Sequence, residues 1–97
     1  MLLKSATNGA VSGTGTFPLD SRILGGVLIS TDGTNAAVVT VQKDNSNGRQ
    51  IFSISTKTPI FITGPIGNRD TDNSASQLAY YSVTGTGASA QFYEWVQ

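Results

Sequence analysis

Three groups of residues in this chain have the types and spacing that chemistry uses. Asp70 and Asp72 stand two apart in Arg69-Asp70-Thr71-Asp72-Asn73-Ser74, the spacing at which oxygen side chains of a calcium loop converge on one hard cation. The rest of that pattern is missing, because Ala75 stands where an EF-hand loop needs glycine and Tyr81 where it needs the bidentate glutamate. The segment reads as a solvated loop with an Arg–Asp contact of little worth in water. Glu94 lies between Tyr93 and Trp95, and a carboxylate among aromatics is a setting in which a general acid has its pKa raised. A glycosidase pairs such an acid with a second carboxylate, and the sequence places none beside it. Strand alternation sets Glu94 toward solvent or a neighbouring chain. Gly13-Thr14-Gly15 and Gly85-Thr86-Gly87 have the look of phosphate-binding turns. Neither continues as GxGxxG, carries a following lysine or opens a helix, so both read as plain turns.

Histidine and cysteine are absent. That removes disulfides, thiol nucleophiles, zinc clusters and the commonest general base. No catalytic, cofactor-binding or metal-binding residue is assigned, and the chain reads as non-enzymatic. Six basic and six acidic residues are spread evenly, so the charged stripe that nucleic acid or anionic lipid needs is missing. No apolar run approaches the ~20 residues of a membrane span. Met1-Leu2-Leu3-Lys4-Ser5 turns polar too quickly for a secretory signal, so synthesis in a cytoplasm is expected. What remains for partners is surface. Tyr80, Tyr81, Phe92, Tyr93 and Trp95 crowd the last two strand candidates, where they either pack a core or stack outward on a sugar or another protein. The residues assigned to a partner interface are Leu2, Leu3, Lys4, Phe17, Arg69, Asp70, Asp72, Tyr81, Tyr93 and Trp95.

The elements that must position these residues are strands. At 97 residues the chain forms a single domain over 1–97. Gly, Ser, Thr and Asn fill roughly two fifths of it, and charged residues only 12%. Glycine recurs too often for a helix, and no apolar stripe has a period of 3.6. The stretches 23–45 and 80–97 each join two β-branched or aromatic runs through a glycine-containing turn, which predicts two β-hairpins. Residues 22–31 carry apolar residues on both alternations, which predicts a central strand with a bulge at Gly25-Gly26. In 36–43, Ala37, Val39 and Val41 are predicted inward, and Val38, Thr40 and Gln42 outward. Asn47-Gly48 predicts a further turn, 50–56 a strand, and 60–63 a short one ended by Gly64-Pro65. Residues 68–77 form the longest loop. Residues 1–16, rich in glycine and hydroxyls, read as an edge strand running into an extended N-terminal arm. The fold expected is an all-β, small antiparallel β-sandwich, Ig-like or jelly-roll-like, of about seven strands.

The run ILGGVLISTDGTNAAVVTVQKDN, then a TPIF segment, then YYSVTGTGASAQFYEW resembles the small virion-associated β-proteins of tailed bacteriophages. The likeness extends from about Arg22 to Trp95. It implies a structural protein of the virion, most simply a capsid cement or decoration protein on the head surface. Its partner would be the major capsid protein or another virion protein, and it would be a homo-oligomer on the particle. The alternative it implies is a tail or fibre module that binds host-surface glycans or connects virion parts.

Overall fold

A computed structural model describes residues 2–19, 24–66 and 78–96. Every regular element among them is a strand: β1 (Leu2–Ser5), β2 (Gly13–Pro18), β3 (Leu24–Ser30), β4 (Ala37–Lys43), β5 (Gln50–Thr56), β6 (Ile60–Ile66), β7 (Leu78–Thr84) and β8 (Ser89–Val96). Eight strands agree with the roughly seven expected, and β1 is the edge strand expected at the N-terminus. The glycine-rich stretch after it, expected to be extended, is paired as well: β1 runs along β8 and β2 along β7. The connection between β1 and β2 is also tied down. Ala6 N–H donates to Phe92 O at 2.8 Å, and Val11 and Ala90 exchange both backbone bonds at 2.8 and 2.9 Å. Glycine lowers strand propensity while threonine raises it, and a ladder partner with a buried face fixes the register of the alternating stretch Gly13–Pro18.

Two antiparallel four-stranded sheets result, in the orders β1-β8-β3-β6 and β2-β7-β4-β5. Their pairing has a simple rule. β1 pairs β8, β2 pairs β7, β3 pairs β6 and β4 pairs β5, so the chain is one long antiparallel ribbon folded at its middle. Two further ladders, β3 with β8 and β4 with β7, roll that ribbon into a sandwich. An eight-strand ribbon rolled in this way is a jelly roll, which decides between the two sandwich types expected.

The two predicted hairpins are not hairpins. β3 lies in the first sheet and β4 in the second, and β7 and β8 are split in the same way. Each glycine-containing turn carries the chain across the sandwich, so its flanking strands stack through side chains and do not share hydrogen bonds. The β3–β4 crossing is closed by Asp32. Its Oδ1 accepts the N–H groups of Thr34 and Asn35 at 2.8 Å each, and its Oδ2 accepts the Asn35 side-chain amide at 2.8 Å. The one consecutive pair that does share a ladder is β4–β5, around the Asn47-Gly48 turn. β6 also runs on through Gly64-Pro65 to Ile66, where an interruption was expected.

The core is the inward alternation of both sheets: Val27, Ile29, Ala90 and Phe92 from one, Phe17, Ala37, Val39, Val41, Ala79 and Val83 from the other. Phe92 stacks on Phe17 at 4.8 Å and 14° and lies 5.7 Å from the tilted ring of Tyr81. Leu24 joins this set only because of the bulge. It is three residues from Val27, which in a regular strand puts the two on opposite faces. The register shift between Leu24 and Gly26 inserts one residue and turns both inward.

Candidate functional site

Rung partners of antiparallel strands share a face, and neighbours along a strand do not. The register therefore sorts the β1-β8-β3-β6 sheet into core and outside. Val27, Phe92 and Ile62 form an inward rung, and the next, Leu28, Gln91 and Phe61, points out. Outward too are Ser5, Tyr93, Gly26 and Thr63 on one rung, and Leu3 with Trp95 on another. An antiparallel sheet with one face in water ordinarily sets polar residues there. This one sets out two leucines and three aromatics: Phe61 is 46% exposed, Leu3 41% and Leu28 39%, while Tyr93 and Trp95 are half-buried. No charged residue occupies an outward rung of this sheet among the described residues.

Gly25 and Gly26 are the floor of this surface. A β-carbon on Gly26 would meet Phe61 Cε1 and Cζ at 3.3 Å, and one on Gly25 would meet Leu3 Cδ2 at 2.7 Å and the Trp95 backbone nitrogen at 2.9 Å. With no side chains there, the Phe61 ring lies over Gly26 and the Leu3 side chain over Gly25. Phe61 from β6 and Tyr93 from β8 meet edge to face, centroids 5.8 Å apart at 83°, a favoured aromatic geometry. Beside them Gln91 Nε2 donates to Ser5 Oγ at 3.0 Å, a polar spot on the face. The arrangement offers apolar and π contacts, with the Ser5 and Gln91 side chains as its hydrogen-bonded polar spot.

The opposite face of the sandwich obeys the ordinary rule. Thr14, Ser82, Thr40 and Ser53 make one outward rung, and Thr16, Tyr80 and Gln42 the next. The Thr40 and Ser53 hydroxyls are 3.2 Å apart and hydrogen-bonded. Val38 and Leu78 are exposed apolar residues on that face, set apart on β4 and β7.

Of the predicted interface residues, Leu3, Tyr93 and Trp95 are brought together on the aromatic face. Leu2 and Lys4 take the other alternation of β1. Both are exposed on this edge strand, Leu2 at 65%. Phe17 is a correction: at 2% exposure it is stacked on Phe92 inside the core, since its rung partner Ala79 points inward. Tyr81 is a second correction, because it shares inward rungs with Val41 and Gly15 and packs against the core. Arg69, Asp70 and Asp72, with the 68–77 loop, lie outside the described residues. Glu94, expected toward solvent or a neighbouring chain, is instead buried within its own sandwich at 3% exposure. It shares the inward alternation of Phe92 and is rung-paired with Leu24 and Lys4. Among the described residues no three His, Cys, Asp or Glu side chains group to hold a metal ion. Leu28 and Phe61 were missed. Their signal lies in the rung that joins them to Gln91, which needs the β8-β3-β6 order.

No protein-family model, curated protein or solved structure matches this chain.

Proposed function

We propose that this chain is a non-enzymatic structural protein of a phage virion, a cement or decoration protein that seats its aromatic face on a neighbouring virion protein. The major capsid protein is the first candidate. The observation that carries the reading is the face built from Leu3, Leu28, Phe61, Tyr93 and Trp95. A contiguous apolar surface kept in water marks an interaction site, and Tyr, Trp and Phe are the residues enriched at interface cores. The sequence resemblance supplies the virion. The jelly roll is compatible with it, since capsid and lectin domains share that architecture, but a fold does not assign a role.

The test is co-sedimentation of the purified protein with phage heads, comparing wild type with Phe61→Ser and Trp95→Ala. Both variants remove outward side chains, so they should stay folded and lose head binding at least tenfold. Wild-type protein found on tails and not on heads would overturn the assignment. A glycan-binding tail or fibre module is the second reading, favoured by the Phe61–Tyr93 pair lying beside the hydrogen-bonded Gln91 and Ser5. A glycan array separates the two: wild-type silence on host glycans, with binding to heads, leaves the capsid reading alone.

A further inference from the structure

Each sheet has two free edges, and three of the four carry a device that blocks pairing with another chain. β1 has only four residues and bears Lys4. β2 holds Gly13 and Gly15 and ends at Pro18. β6 passes through Gly64-Pro65 at the irregular end of its ladder, and proline has no N–H to donate. β5 has none of these. Its seven residues, QIFSIST, contain no glycine, proline or charge, and among the described residues it pairs with β4 alone.

Its side chains are also incompletely covered. Phe52 and Ile54 are only part-buried, while their rung partners Val41 and Val39 are wholly buried. The core therefore continues past β4 and stops unfinished at this edge. The register shift near Gln50 confines the regular ladder to Phe52–Thr56, and its centre is Ile54.

We infer that β5 pairs antiparallel with β5 of a second copy about a two-fold axis at Ile54, joining the two β2-β7-β4-β5 sheets into one of eight strands. Ile54 then faces its own copy, Phe52 faces the partner copy's Thr56 position on the core side, and Ser53 faces Ser55 on the hydroxyl side. The centre of the regular ladder sets this register, and charge disfavours the axis one residue before it. An axis at Ser53 would set Arg49 opposite Lys57, a like-charge rung that destabilises an antiparallel pair. The axis at Ile54 sets Arg49 opposite Pro59 and leaves no charges facing each other. This surface is separate from the aromatic face, which stays open on both copies.

Sedimentation equilibrium across the micromolar range tests the inference. Wild type should run at about twice the 10.1 kDa chain mass. Ser53→Lys with Ser55→Lys sets lysine against lysine twice, and this variant should run as a folded monomer. Ser53→Lys with Ser55→Glu sets lysine against glutamate twice at the same positions, and it should return to the dimer, weakening as salt is added. Trp95→Ala should leave the dimer unchanged while losing head binding, so the two proposals fail separately. Monomeric wild type, or a dimer indifferent to the double-lysine change, would overturn the inference. So would a Lys/Glu variant that stays monomeric while its circular dichroism shows it folded.

Discussion

Two adjacent glycines, Gly25 and Gly26, should respond to the same added methyl group by very different amounts. A β-carbon at Gly25 would stand 2.9 Å from Trp95 N and 3.0 Å from Glu94 C, as well as 2.7 Å from Leu3 Cδ2. Leucine can swing aside, but the two backbone atoms belong to β8, which is held to β3 by the central ladder of its sheet. Overpacking against such a neighbour costs about 1–3 kcal/mol, and the lost chain entropy of the unfolded state returns about 0.4–1 kcal/mol. Gly25→Ala should therefore lose about 1–2 kcal/mol net. That lowers the melting temperature by about 4–15 °C for a domain of this size. At Gly26 the added carbon would meet nothing closer than 3.3 Å, and two of its three neighbours are ring atoms of the exposed Phe61. Gly26 is buried, and its third neighbour is the Ile62 backbone oxygen at 3.3 Å. Gly26→Ala should therefore cost about 0–1 kcal/mol, less than Gly25→Ala because the Phe61 ring can give way, while lifting Phe61 away from Tyr93. Urea unfolding followed through the single tryptophan, Trp95, measures both. Equal losses in the two variants, or none in Gly25→Ala, would refute the bulge packing and the glycine floor built on it.

Three further outcomes follow from the same geometry. Phe17→Ala should cost about 3–5 kcal/mol, a large part of the roughly 5–15 kcal/mol that holds a domain, and circular dichroism melting will read it. Had Phe17 been an interface residue, the change would leave the melt untouched. Asp32 is held below its ordinary pKa, first by the Asn35 backbone N–H, then by the Asn35 side chain and the Thr34 N–H. Because the folded value is the lower one, its stabilisation is present above the unfolded pKa of about 3.9. It fades as pH falls through the folded value, so Asp32→Ala should narrow its stability gap to wild type on acidification below about pH 4. Val38→Thr, on the hydroxyl face, should leave head binding unaffected, whereas equal losses from Val38→Thr and Trp95→Ala would deny the aromatic face any special role.

Much of the local structure is legible in the sequence, and little of the pairing is. The alternation in Ala37–Lys43 places Ala37, Val39 and Val41 inward as observed, and the double apolar pattern around Gly25-Gly26 does mark a bulge in a central strand. The hairpins failed because two apolar runs joined by a glycine turn describe a crossing between sheets equally well. In both, the strands alternate with period two and the turn needs glycine or an Asx residue. The difference is whether backbones or side chains face each other, and that is settled by distant partners such as β8 for β3 and β7 for β4. The aromatic face shares the difficulty. Tyr93 and Trp95 alternate with Phe92 and Glu94 in plain view, but Phe61 reaches Tyr93 only across a β3 rung whose glycine leaves the space open.

The rolled ribbon gives both sheets the same inner task and leaves their outer faces free to differ, and they do differ. In the β2-β7-β4-β5 sheet the residues between core positions are mostly hydroxyls and amides, as solvation requires. In the β1-β8-β3-β6 sheet the equivalent positions include Leu3, Leu28, Phe61, Tyr93 and Trp95 beside Ser5, Gln91 and Thr63, although Thr or Gln would serve the fold as well at all of them. Such a departure from local rules, confined to one face, is where function is to be expected. The two glycines strengthen the argument. They weaken a central strand, yet the open space at Gly26 lets Phe61 reach across β3 and meet Tyr93 edge to face. Gly25 serves the packing of β3 on β8, but Gly26 makes room for the outward Phe61 ring, so at that position the sequence answers to the outer face and not to the core.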